Sequence, residues 1–288
     1  MKRQKIMERG MSWLFALCAC MSIVAVVLIC VFLFANGIPA MKEIGFVDFL
    51  FGTKWAPKNE PASYGILPMI VGSLCVTLGA VIIGVPIGVL TAVYLSRFCP
   101  KKLHSILEPL VQLMAGIPSI IYGFFGLVVM VPLARMIPGC TGVSMLTAAV
   151  LLGIMILPTV INLSESSINA VPNSYYEGAL ALGATHERSV FFAVLPAAKS
   201  GLLAAVVLGI GRAIGETMAV IMVAGNQAAM PRGIFKGIRT MTANIVLEMG
   251  YATGLHREAL IATGVVLFIF ILLINFAFAL IKKRGEKA

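Results

Sequence analysis

Arg212 and Glu216 lie four residues apart in LGIGRAIGETMAV, inside an apolar run that extends from about 199 to 224. In a continuous helix this spacing puts both side chains on one face. A charge carried into such a run is costly, so it usually faces a polar cavity and marks the route of a substrate. A guanidinium presents a planar fork of N–H donors that matches the acceptor oxygens of a small oxyanion. Glu216 is then placed to hold Arg212 between visits of an anion and to release it when one arrives. The competing reading is an ion pair that serves structure alone, although a pair in apolar surroundings repays little of its desolvation cost. Ser119 and Tyr122, in AGIPSIIYGFFGL, share another apolar run with Pro118 and Gly123. A helix break there would turn hydroxyls and free backbone groups toward a pathway, because irregular backbone at membrane depth survives only against protein or water.

No constellation in the sequence supports catalysis. His104, His186 and His256 are scattered and no carboxylate cluster accompanies them. The six cysteines form no CxxC pair and no metal-ligand spacing. A phosphate-cradling G-x-x-x-x-G-K-[ST] loop is missing, so any ATP must be bound by another chain, and GIG in GIGRAIGE lacks the strand and third glycine of a dinucleotide loop. Ala205, Gly209, Gly211 and Gly215 have the small-xxx-small spacings of closely packed helices.

The elements that must position these residues are read from composition. Of 288 residues, 12% are charged and 60% hydrophobic, against roughly a quarter charged in soluble domains. The net charge of +10 then reflects basic residues at a membrane surface rather than a nucleic-acid site. Apolar runs long enough to cross a bilayer lie at about 12–35, 66–95, 107–133, 143–163, 199–224 and 259–281. The second and third contain Pro86 and Pro118, where tilts or breaks are expected. The first run lacks a small-x-small cleavage site and reads as a retained helix. Lys and Arg gather in the segments on the side of both chain ends, including Lys2, Arg3, Lys5, Arg9, Arg97, Lys101, Lys102, Lys282, Lys283, Arg284 and Lys287, which orients both termini toward the cytoplasm. On the outer side, PRGIFKGIRT would put Arg232, Lys236 and Arg239 on one face if it were helical, suited to an anion, an acidic partner or the membrane interface.

The inner segment 170–198 carries its own local code. Ser174 and Glu177 have capping-box spacing for a short helix, and Gly183 suits a left-handed helix end. Thr185 can cap a second short helix, and Pro196 closes the segment. Ala179 and Ala181 are small enough to admit another surface closely.

Glu177, Ala179, Gly183, Ala193, Leu195 and Pro196 resemble the EAA loop of binding-protein-dependent ABC importer permeases. Gly178 and Ala193 depart from that family's alanine and isoleucine. The stretches FVDFLFGTKWAPKNEPASYGILPMIVGSL, AGIPSIIYGFFGL and LGIGRAIGETMAVIMVAGN resemble phosphate-specific permeases, the first of them the PstC type of two non-identical subunits. The resemblance implies a single all-α membrane domain of the type I (MetI-like) importer fold, with the loop around Glu177, Ala179, Gly183, Leu195 and Pro196 docking into an ATPase. It further implies a second homologous permease (PstA type), cytoplasmic ATPase subunits (PstB type) and an extracytoplasmic phosphate-binding protein (PstS type). No cofactor is expected on this chain, with ATP and magnesium on the partner ATPase. Phosphate is the expected cargo and sulfate or molybdate the alternatives. A secondary transporter and a phosphate-status sensor are the readings outside this class.

Overall fold

The computed structural model describes the backbone of residues 2–285 and the side chains of residues 10–280. The terminal basic side chains on which part of the orientation rests, Lys2, Arg3, Lys5, Arg9, Lys282, Lys283, Arg284 and Lys287, lie outside the described side chains.

Long apolar runs satisfy their backbone polar groups internally, and the chain is accordingly helical almost throughout. Helix α1 (Lys2–Ile44) overruns the expected 12–35 span in both directions. A short helix α2 (Phe46–Phe51) and a two-stranded antiparallel hairpin, β1 (Trp55–Ala56) with β2 (Ser63–Tyr64), follow, with Trp55 opposite Tyr64. Helix α3 (Leu67–Val93) ends in a π-helical turn, Tyr94–Phe98. The next span is broken: α4 (Lys101–Gly116) and α5 (Ser119–Phe125) are separated at Ile117 and Pro118, and a π turn, Gly126–Met130, leads into α6 (Val131–Arg135). The two halves meet at 96°. Pro118 accounts for the break, since it cannot donate to the helix ladder and its extended φ and ψ, −59° and 141°, start α5 afresh.

Helix α7 (Met145–Asn169) is the most enclosed span. The inner segment then forms α8 (Asn173–Ala181), α9 (His186–Ser189), a π turn, Val190–Val194, and α10 (Leu195–Ala197). A 70° bend at Ala198 leads into α11 (Lys199–Gly215). Short helices α12 (Met218–Val223) and α13 (Met241–Met249) precede α14 (Gly254–Gly285). Four helices are long and apolar enough to cross a membrane, and the two bent pairs raise that to as many as six spans.

The main contact is α3 against α7. A Cβ on Gly84 would stand 2.6 Å from the carbonyl oxygen of Gly153 and 2.7 Å from Ile156 Cγ1. Only glycine lets the backbones approach so closely, and such contacts replace the missing hydrophobic drive between helices in lipid. The core that encloses this seam runs through Val76, Ala80, Leu151, Met155 and Ile156 to Ala219 and Val223 of α12. A second core joins α1 to α14 and the hairpin through Met41, Phe49, Trp55 and Leu260. A third ties the inner ends of α3 and α7 to the α9–α10 segment through Val93, Ile168, Val190 and Val194.

Candidate functional site

Arg212 sits in the last turn of α11, half-buried, where its Nη1 donates to Thr159 Oγ1 of α7 at 2.8 Å. The expected pairing with Glu216 does not form. Helix α11 stops at Gly215, and Glu216 takes an extended conformation with φ −68° and ψ 131°. Its Oε1 accepts from the backbone N–H groups of Thr217, 3.1 Å, and Ala219, 3.2 Å. The i,i+4 argument fails because the two residues do not share a helix: a glycine at the end of α11 and the short α12 behind it divide the apolar run. Glu216 satisfies amides that a helix start leaves without partners. Among the described residues Arg212 makes no salt bridge, which leaves most of its N–H donors for a visitor. An added Cβ on the neighbouring Gly211 or Gly215 would meet no atom within 4 Å.

Helix α5 packs along α12, with Gly123 against Ala219 and Met222. Ser119 begins α5, half-buried, and no hydrogen bond engages its hydroxyl among the described residues. Tyr122 is 8% exposed and its hydroxyl donates to the Met114 carbonyl at 2.9 Å, so it holds the α4 and α5 halves at their angle. It lies within electrostatic reach of Arg212. Ser119 and Tyr122 thus lie at the α4–α5 break, while Arg212 ends α11 and Glu216 shapes the start of α12. Thr159, the partner of Arg212, carries no signal in the sequence that would have singled it out.

The inner segment follows its code with one change. Gly183 has φ +82°, and the N–H groups of Gly183 and Ala184 reach the carbonyls of Leu180, 2.9 Å, and Ala179, 3.1 Å, which is the paired pattern of a Schellman helix end. Thr185 caps α9 by accepting from Arg188 N–H. The capping box at Ser174 and Glu177 is absent, because α8 begins two residues earlier than that box requires, with Pro172 at the cap position and Ser174 already inside the first turn. Glu177 is exposed, Ala179 half-buried, and Leu195 is packed against the third core just before Pro196, which is exposed. The elbow displays apolar side chains outward: Leu182 is 91% exposed, with Tyr175 and Leu180 also exposed.

The segment 231–240, expected on the outer side, is not helical, and Arg239 does not share a face with Arg232 and Lys236. The carbonyls of Ile234, Phe235 and Lys236 accept from the N–H groups of Leu146, Thr141 and Met145, so this loop serves the start of α7. Arg232 and Lys236 border a pocket of about 310 Å³ with Gln227 and Met230. Arg239 turns inward, its Nη1 2.6 Å from Glu248 Oε1. Glu248 Oε2 also accepts from Trp55 Nε1, 2.9 Å, and His256 Nε2, 2.8 Å. Burial acts to raise the Glu248 pKa, but the donors Trp55, His256 and Arg239 outweigh it and hold the carboxyl below its ordinary value. No pattern in the sequence announced this hub, whose members lie in the hairpin, the outer loop, α13 and the start of α14.

Two bent helix pairs, a guanidinium without a salt bridge among the described residues and a capped, apolar elbow are features of a membrane transport subunit. Solved structures share this fold. A methionine ABC transporter, MetNI, in an inward-facing conformation matches at TM-score 0.62, with 24% identity over 76% of this chain and 95% of that one. A bacterial ABC transporter for the import of alginate matches at TM-score 0.66, with 15% identity over 93% of this chain and 95% of that one. Residues 84–287 match the family "Binding-protein-dependent transport system inner membrane component", and the chain belongs to it. Among its relatives, "Probable ABC transporter permease protein YqgH" of Bacillus subtilis is 38% identical over 90% of this chain and 87% of its own length. The "Phosphate transport system permease protein PstC" of Mesorhizobium japonicum is 35% identical, over 84% and 80%.

Proposed function

We propose that this multi-pass membrane protein is the PstC-type permease subunit of an ATP-driven phosphate importer. The observation that supports the reading is Arg212 in the last turn of α11, where among the described residues its guanidinium bonds only Thr159 and forms no salt bridge. Phosphate at neutral pH carries one to two negative charges on several acceptor oxygens, which a free guanidinium fork matches. Ser119 supplies an unengaged hydroxyl at the α4–α5 break, and Tyr122 holds that break at its angle. The PstC relatives support phosphate over sulfate or molybdate.

The chain supplies no nucleotide site, so its energy comes from a separate ATPase that binds ATP and magnesium and receives the elbow around Leu182, together with Glu177, Ala179 and Gly183. Leu195 and Pro196 carry the elbow's displacement through the Ala198 bend to α11 and Arg212. A PstA-type permease completes the pathway, and a PstS-type binding protein delivers phosphate to the outer face. Both termini face the cytoplasm. Uptake of radiolabelled phosphate, sulfate and molybdate into vesicles holding the four-component complex, with and without ATP, tests this reading. Phosphate uptake that depends on ATP and is insensitive to excess sulfate is expected, and ATP-driven uptake of sulfate or molybdate in its place would overturn the cargo assignment.

A further inference from the structure

Something must carry the motion of the α8–α9 elbow to the spans, and the backbone links it to them only through the Pro172 turn and the Ala198 bend. Beside the apolar contacts of the third core, a polar link runs through His186. Its Nε2 faces the carbonyl oxygen of Arg97 at 3.2 Å, and its Nδ1 faces the hydroxyl of Tyr176 at 2.7 Å. A carbonyl only accepts, so Nε2 carries the hydrogen, and Nδ1 of the neutral ring accepts from Tyr176. The ring stands edge-on to Phe98, 4.7 Å between centroids, and to Tyr176, 5.6 Å. Arg97 and Phe98 belong to the π turn that ends the second span, a turn closed by Cys99 N–H on the Tyr94 carbonyl at 2.8 Å. From that turn Arg97 Nη2 donates to the Ile168 carbonyl at 2.9 Å, at the inner end of α7. One imidazole thus joins α8, α9, the end of the second span and, through Arg97, the end of α7.

We infer that His186 is the positioning residue that makes the elbow and the inner ends of the second and fourth spans move together, so that work done on the elbow reaches the α3–α7 seam and α11 packed on it. The residue is not among those that carry the EAA resemblance. The inference rests on the importer reading above, and deepens it by naming the mechanical contact. Its two bonds can be separated chemically. In His186→Gln the amide nitrogen occupies the place of Nε2 and keeps the bond to the Arg97 carbonyl. In His186→Asn the side-chain oxygen occupies the place of Nδ1 and keeps only the bond to Tyr176 within the elbow.

The test uses the complete importer in vesicles and measures phosphate taken up per ATP hydrolysed, with retention of the ATPase subunit as the control for an intact elbow. H186Q is expected to stay coupled. H186N is expected to bind the ATPase normally and hydrolyse ATP, but to carry about fivefold less phosphate per ATP, the weight of one net hydrogen bond. Equal coupling in H186N and the native complex, or equal loss in both variants, would overturn the inference, as would loss of the ATPase subunit from H186N. A second readout is independent of cargo: spin labels at Arg188 and Lys101 should report one narrow distance that stays the same on ATP binding in the native complex and in H186Q, and a broad one that changes on ATP binding in H186N. If the native complex carries no phosphate, the cargo reading fails while the label distances still decide the role of His186; unchanged distances in H186N would refute it.

Discussion

Removal of the Glu248 carboxylate is the perturbation whose cost the structure allows to be worked out most fully. Three donors converge on it: Arg239 on Oε1, and Trp55 and His256 on Oε2. Both charged partners are largely enclosed, at 17% exposure for the Arg239 side chain and 9% for that of Glu248. In Glu248→Ala the guanidinium keeps only the neutral acceptors Asn226 O and Asn244 Oδ1, while the Trp55 and His256 N–H groups lose theirs. Breaking a buried pair in this way costs about 3–5 kcal/mol. Glu248→Gln keeps the shape and one acceptor oxygen. With that oxygen on Arg239, His256 can change tautomer and accept from the new amide; the guanidinium keeps a neutral acceptor in place of its counter-charge, and the Trp55 N–H is stranded, at about 1–3 kcal/mol for that N–H. The two variants should therefore be ordered, alanine costing more than glutamine. Equilibrium unfolding of the purified chain in mixed dodecyl sulfate and maltoside micelles measures both. Equal costs for the two variants, or a loss below about 1 kcal/mol for Glu248→Ala, would refute the claim that the hub is a buried ionic lock rather than a solvated surface pair.

Three further outcomes follow from the same structure. Because the folded state holds the Glu248 carboxyl below its ordinary value of 4.5, its contribution is complete above that pH and is lost as pH falls through the depressed value; the stability gap between native protein and Glu248→Gln should be constant above pH 4.5 and narrow below it. Gly84→Val would drive its side chain into the Gly153 carbonyl and Ile156, and should cost at least about 1–3 kcal/mol in the same micelle assay, the penalty of overpacking. Leu182→Glu should leave helicity unchanged, since the side chain is 91% exposed, yet weaken co-purification of the ATPase about tenfold or more, the weight of a Leu side chain that a partner would bury.

The spans were legible because lipid leaves a chain few options: an apolar run of sufficient length must form a helix, and Pro118 in such a run must break it. The elbow was legible because Gly183 and Thr185 act within a few residues of their own positions. Local codes also misled where a neighbour pre-empted them. Pro172 took the cap of α8 and moved Ser174 inside the helix. At Arg212 and Glu216 the spacing rule assumed one helix, and Gly215 followed by the short α12 gave two. Contacts between distant segments were not legible at all. Trp55 and Glu248 are 193 residues apart, Arg212 and Thr159 are 53, and nothing in the types or spacing of these residues marks them as partners. The outer loop 231–240 shows the same limit: its basic residues suggested a helical stripe, whereas its carbonyls were needed to complete the start of α7.

The most direct test of the account is ATP-driven phosphate uptake by the assembled importer with native Arg212, Arg212→Lys and Arg212→Gln. A bond to a charged group is worth about 1.5–3 kcal/mol, so Arg212→Gln should lower uptake by roughly ten- to a hundredfold with the complex intact, and Arg212→Lys by less. Native rates in Arg212→Gln would remove Arg212 from the pathway, and an assembled native complex that hydrolyses ATP without moving phosphate would contradict the function proposed for the chain.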